Sequence, residues 1–275
     1  MRYCIDFSTF CDIIYYIKVN IYHCHKNKNC RNAEVRIMYI HNRLLALFFR
    51  ILFLFGCGIG LYLNSGIPSG KFAPYMLIFY TIQSNALCFV FFTILAVKTL
   101  IDIKNKGIRG STRIFPHLKG AVTMTISMTF IIYHFVLVPL YTSHDANYRI
   151  LNWQNILVHY FVPIMTVLDW LLFDKKQNFR WFDPMLWISV PIAYFFFIII
   201  RGRIGGIISI VQSKYPYFFV DVDILGWINV LKYAGVFILG FLILGYGIYL
   251  VDKISLDNTR FNFVKPSLYT NTYKA

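Results

Sequence analysis

Hydroxyl, imidazole, carboxamide, amine and carboxylate side chains recur inside stretches of this chain that are otherwise apolar. Thr81, Ser84 and Asn85 fall in one such stretch, Tyr133 and His134 in the next, Asn155, His159, Thr166 and Asp169 in a third, and Lys232 in the last. Ionisable groups are costly in hydrocarbon and, where they occur, face a bundle interior or a wet cavity. Positions 155, 159, 162, 166 and 169 follow i, i+4, i+7, i+11 and i+14, so Asn155, His159, Thr166 and Asp169 line one helical face. Two chemistries suit such a face. Hydroxyls, amides and imidazoles bond helices together in a packing network, and His134, His159, Asp169 and Lys232 would make the proton path of an ion-coupled carrier.

The elements that must hold these residues follow from composition. Of 275 residues 58% are hydrophobic and 19% aromatic, while 14% are charged, against about a quarter charged in soluble domains. Six apolar stretches, at 44–64, 75–97, 120–141, 155–173, 184–200 and 226–251, approach or exceed the length that crosses about 30 Å of hydrocarbon as a helix. They lack the two-residue alternation of barrel strands, and backbone groups in lipid must be satisfied within the segment. The expected fold is therefore all-α, a polytopic six-helix transmembrane bundle over 38–252.

Glu34 is the only glutamate, which excludes HExxH metalloproteases and paired-glutamate glycosidases. The net charge of +15 would suggest nucleic acid if it lay on one soluble face. Here the basic residues form short clusters between apolar runs, so the expected partner is membrane lipid and not nucleic acid. Twenty Lys and Arg fall in the amino-terminal segment, the second and fourth connections and the tail, against five (Lys71, Arg149, Arg201, Arg203 and Lys214) on the opposite side. That asymmetry predicts a cell-membrane protein with both termini in the cytoplasm.

Residues 1–37 read differently. Asp6, Asp12 and Lys18 interrupt what would be a signal-peptide core, so this segment is expected to be a dispensable cytoplasmic leader or an over-extended start ahead of Met38. Residues 253–275 read as a cytoplasmic tail. The six cysteines contain no CxxC, which argues against a disulfide framework, and His23, Cys24, His25 and Cys30 match no common zinc spacing. No metal and no cofactor are expected. Gly202, Gly205 and Gly206 beside Arg201 and Arg203 resemble a phosphate loop only superficially, because no strand precedes them. Gly56 and Gly60 form a GxxxG, which predicts close helix packing. The carrier reading gains nothing from symmetry, since the two halves carry no internal repeat. Nothing in the sequence assigns an oligomeric state.

Counted from the outer end of each stretch at 1.5 Å per residue, Thr81, His159, His134 and Lys232 lie roughly 9, 6, 10 and 9 Å deep. Four helices thus bring polar groups to one level near the outer headgroups, which predicts a wet pocket opening outward.

Four runs at that level carry a resemblance: Tyr80-Thr81-Ile82-Gln83-Ser84-Asn85; Tyr133-His134-Phe135-Val136-Leu137-Val138-Pro139; His159-Tyr160-Phe161-Val162-Pro163 followed by Leu168-Asp169-Trp170; and Tyr215-Pro216-Tyr217-Phe218. In order and spacing, over about 38–252, the chain resembles the bacterial Pr6Pr family of six-span membrane proteins, which is similar to the androgen-induced, FAR-17a-like proteins of eukaryotes. Animal members of the wider group are intramembrane threonine hydrolases acting on fatty-acid esters of hydroxy fatty acids. The resemblance implies the same activity on a lipid-ester substrate, with Thr81 and His159 as the catalytic pair. The flanks of Thr81 depart from the animal pattern more than those of His159.

The implied pair suits the chemistry. A Thr hydroxyl is a poor nucleophile until a nearby base accepts its proton, and a neutral imidazole in a partly dry pocket serves as that base. Asp169 is ten residues, about 15 Å of helical rise, from His159 and too far to orient its ring, so its role is expected to be structural. Asn155 lies one turn away. Asn85, Ser84 and Tyr133 are the expected donors to an oxyanion, backbone amides being occupied inside an intact helix, and His134 and Lys232 complete the expected pocket.

Overall fold

The computed structural model describes residues 40–145 and 148–253, which lie in one compact unit, Tyr39–Ser255. The leader of residues 1–37, with its Cys4, Cys11, His23, Cys24, His25 and Cys30, and the tail beyond Lys253 lie outside the described residues. The described chain is an all-α bundle of six helices long and apolar enough to cross a membrane, and the protein is a multi-pass membrane protein. The helices are α1 (Arg43–Asn64), α2 (Tyr80–Lys106), α3 (Pro116–His144), α4 (Trp153–Phe173), α5 (Asp183–Ile204) and α6 (Val222–Lys253).

Local chemistry sets several boundaries. The Asn42 side chain accepts from the amides of Leu44 and Leu45 at 2.9 and 3.1 Å and so caps α1. Pro116 occupies the first turn of α3, where its missing N–H costs nothing. Gly107, with φ 76°, closes α2 in a conformation that a side chain would strain. Gly226, with φ 71° and ψ 161°, breaks the first turns of α6 from the remainder.

The helices pack unequally. Over its most apolar window α3 is 61% buried, whereas α5 and α6 are 22% and 17% buried. Thus α3 is the axis of the bundle and α5 and α6 its outer members, their apolar residues directed to the lipid phase. Helix α1 packs on α2 and α4, and α3 packs on α2, α4 and α6. Gly56 and Gly60 make the α1–α4 approach possible. A Cβ on Gly56 would come within 2.2 Å of the Phe161 ring, and one on Gly60 within 3.0 Å of the Leu157 Cβ.

One half of the bundle is locked by buried charge. Arg50 Nε donates to Asp169 Oδ1 at 2.9 Å, Lys119 Nζ donates to Asp169 Oδ2 at 2.5 Å, and Lys119 reaches Asp174 at 2.7 Å. Arg50 also donates to the Thr99 hydroxyl at 2.5 Å. Two cations meet two carboxylates, so no net charge is left in the low-dielectric interior. Asp169 is buried at the centre of this cluster, and its partners were not evident in the sequence. Lys119, counted with a loop in the sequence, is buried in the first turn of α3.

Candidate functional site

The second apolar stretch does not enter its helix at Tyr75. Residues Pro74–Ile78 form a 3₁₀ turn, Phe79 is extended at φ −75° and ψ 135°, and the α-helix starts at Tyr80. The break is held from two sides. Tyr194 of α5 accepts from the Tyr80 amide at 3.1 Å and donates to the Ile78 carbonyl at 3.0 Å, while the Gln83 side chain donates to the Leu77 carbonyl at 2.8 Å. Thr81 is therefore in the first helical turn and not six residues deep. Its amide belongs to the turn whose N–H groups have no intrahelical acceptor, which overturns the expectation that backbone amides there are occupied.

Opposite Thr81, α4 departs from α-helical pitch. Residues Leu157–Phe161 form a π turn closed by the Val162 amide on the Leu157 carbonyl, directly before Pro163. A proline cannot donate to the carbonyl four residues back, here that of His159, and π turns concentrate at functional sites. Helix α3 repeats the device over Tyr133–Leu137, ahead of Pro139.

Within this frame Thr81 Oγ1 lies 3.3 Å from His159 Nε2. The other ring nitrogen, Nδ1, lies 3.2 Å from the main-chain carbonyl of Asn155. A carbonyl only accepts, so the proton belongs on Nδ1 and the Nε2 lone pair faces the Thr81 hydroxyl. The Tyr133 ring lies flat on the imidazole, with centroids 3.6 Å apart and planes 9° apart. His159 is thus fixed in tautomer by α4 and in orientation by α3.

The other expected residues take up distinct places. Asn155 orients His159 through its main chain, while its side chain donates to Tyr148 Oη and the Arg149 carbonyl, both at 3.2 Å. The Asn85 amide donates to the carbonyls of Thr81 and Val158 at 2.7 and 3.0 Å, which ties α2 to α4 and uses both its N–H groups. Ser84 bonds the Thr81 carbonyl at 3.0 Å and the Thr129 hydroxyl at 2.9 Å. The Tyr133 hydroxyl meets Tyr148 at 3.1 Å. Asn85, Ser84 and Tyr133 therefore brace the pair and are engaged with other groups. His134 is exposed and bonds the Tyr160 hydroxyl at 3.0 Å, and Lys232 is exposed on α6. Of the four groups of the carrier reading, His134, His159 and Asp169 thus bond to separate partners, and Lys232 is exposed on α6.

Thr81 borders an apolar cavity of about 390 Å³ lined by α2, α3, α5, α6 and the segment before α6. Helices α5 and α6 meet closely at Pro184 and Gly245; further along, the cavity separates them. Ile192, Phe196, Leu231 and Ile238 both line the cavity and are exposed on the bundle surface, so it opens sideways toward lipid. Its volume suits a small ligand, and its wall is almost wholly hydrocarbon and aromatic.

Tyr217, from the connection before α6, enters the site although its residue type and spacing imply no role there. Its side chain lines the same cavity as Thr81 and Tyr194, meets the edge of Phe79 at 5.8 Å and interacts with Thr81. Burial raises its proton affinity above the usual tyrosine range, so it is a hydroxyl donor at neutral pH. Only its place in a run of aromatic residues around Pro216 could have drawn attention to it. Among the described residues no group of three His, Cys, Asp or Glu is arranged to hold a metal ion. Compared with family models, curated proteins and solved structures, the chain matches none.

Proposed function

We propose that this protein is an intramembrane hydrolase of long-chain esters in the cell membrane, with Thr81 as nucleophile and His159 as base, both termini being cytoplasmic. The observation that carries the reading is the Thr81–His159 contact of 3.3 Å, with the lone-pair nitrogen toward the hydroxyl, at the wall of a lipid-facing apolar cavity. The resemblance of the four sequence runs to Pr6Pr and FAR-17a-like proteins supports the same chemistry.

The reaction follows from the placement. An ester carbonyl beside Thr81, with its chain along the cavity, is attacked by Oγ1 as His159 Nε2 takes the hydroxyl proton. The tetrahedral adduct collapses, and the alcohol departs with the proton held by His159. Water then attacks the acyl-threonine, its proton passing to the same nitrogen, and releases the acid and the Thr81 hydroxyl. His159 is buried and Thr81 half-buried, and a site with little competing water strengthens each polar interaction.

The test is covalent labelling of purified protein in detergent with a long-chain fluorophosphonate, alongside hydrolysis of a long-chain ester. The expected result is labelling and turnover in the parent and neither in Thr81→Ala at unchanged melting temperature. Full labelling of Thr81→Ala eliminates the site, and a parent inert to several ester-like probes eliminates the hydrolase.

A further inference from the structure

We infer that Tyr217 is a catalytic residue of this site, its phenol donating to the oxyanion that forms when Thr81 attacks an ester; the assignment rests on the hydrolase reading above. The oxygen of a tetrahedral adduct is two bonds from Thr81 Oγ1. A donor on the cavity wall beside this hydroxyl, and not the base, is therefore within reach of the developing charge. Tyr217 meets that description: it lines the same cavity as Thr81, its ring meets the edge of Phe79, two residues before Thr81, at 5.8 Å, and its phenol interacts with Thr81. The donors expected from sequence do not meet it, since Asn85, Ser84 and Tyr133 are engaged with other groups.

The segment carrying Tyr217 is built to hold it still. Tyr215 presses its ring on Gly202, where an added Cβ would come within 2.2 Å. Pro216 fixes the next φ and biases Tyr215 to an extended conformation. Ser213 Oγ donates to Asp221 Oδ2 at 2.5 Å, and Asp221 Oδ1 accepts from the amides of Asp223 and Ile224 at 3.1 Å each, capping α6. The Tyr217 ring stacks on Phe219 at 5.1 Å and meets the edge of Phe79 at 5.8 Å. Donors fixed in advance stabilise developing charge without reorganising during the reaction.

The bond balance of the reaction is unchanged. Tyr217 keeps its proton throughout, sharing it with the oxyanion and withdrawing as the carbonyl reforms. The phenylalanine variant removes one O–H and keeps the ring, so packing on Phe79 and Phe219 survives.

The decisive experiment compares the parent and Tyr217→Phe, matched for melting temperature in one detergent, using a long-chain ester and a long-chain trifluoromethyl ketone that forms a tetrahedral adduct with the nucleophile. Loss of an oxyanion donor lowers kcat by about 10²- to 10³-fold. The expected result is a fall of that order with KM changed less than about threefold, and a matching weakening of the ketone's inhibition. Parent-like kcat and inhibition in Tyr217→Phe overturn the assignment while leaving the hydrolase in place. A rise confined to KM also overturns it and makes Tyr217 a wall of the cavity. A parent without ester turnover overturns both.

Discussion

The carbonyl of Asn155 lies 3.2 Å from Nδ1 of His159, and this one main-chain contact determines which imidazole nitrogen faces Thr81. The arrangement needs no carboxylate third member, because a backbone acceptor fixes the tautomer as a side chain would. His159→Ala leaves the Thr81 hydroxyl but removes its base, and should lower ester turnover by about 10²- to 10⁴-fold. His134→Ala should lower it far less, since that ring is exposed and bonds Tyr160. Initial rates on melting-matched protein decide between them; equal losses in the two variants contradict the assignment.

Gly60 supports the same geometry from α1. A leucine there meets Leu157 and Val158, the first residues of the π turn that carries His159. Overpacking at such a contact costs about 1–3 kcal/mol. Gly60→Leu should therefore melt earlier and, when still folded, lose turnover as His159 moves off Thr81. Retained turnover per folded molecule would show that the π turn yields without displacing the ring.

Asp169 should govern stability and not chemistry. Both of its oxygens are engaged, by Arg50 and by Lys119, and removing one partner of a buried ion pair costs about 3–5 kcal/mol. Asp169→Asn should lower the melting temperature, Lys119 retaining Asp174, with activity per folded molecule kept. Unchanged melting together with abolished turnover would assign Asp169 to the reaction.

Orientation is tested by single cysteines on a background with the native cysteines replaced by serine. Asn105→Cys and Lys175→Cys, at exposed positions in one end of the bundle, should resist a membrane-impermeant maleimide in intact cells. Ser143→Cys and Ile207→Cys, exposed at the opposite end, should react. The reverse pattern inverts the topology.

Much of the bundle was legible in the chain because crossing hydrocarbon is a local requirement. About 20 apolar residues satisfy it wherever they occur, so six stretches became six helices. The same holds for the helical stripe of α4, whose His159, Thr166 and Asp169 are buried, and for Gly56 and Gly60, whose small size permits close approach at the expected place. Each of these depends on residue type and near spacing alone.

The approach of Thr81 to His159 and Tyr217 was decided elsewhere. Hydropathy does not locate the change from the 3₁₀ turn at Pro74–Ile78 to the helix after it, because an apolar run is compatible with either. The helix start at Tyr80 is instead held by the Tyr194 hydroxyl, 114 residues away. Arg50 and Asp169 meet across 119 residues, and Tyr217 comes to the cavity beside Thr81 from the connection before α6. Composition and period set how each segment answers to lipid, whereas partners so distant are chosen only when the helices pack and each buried polar group must find the donor or acceptor that packing leaves beside it.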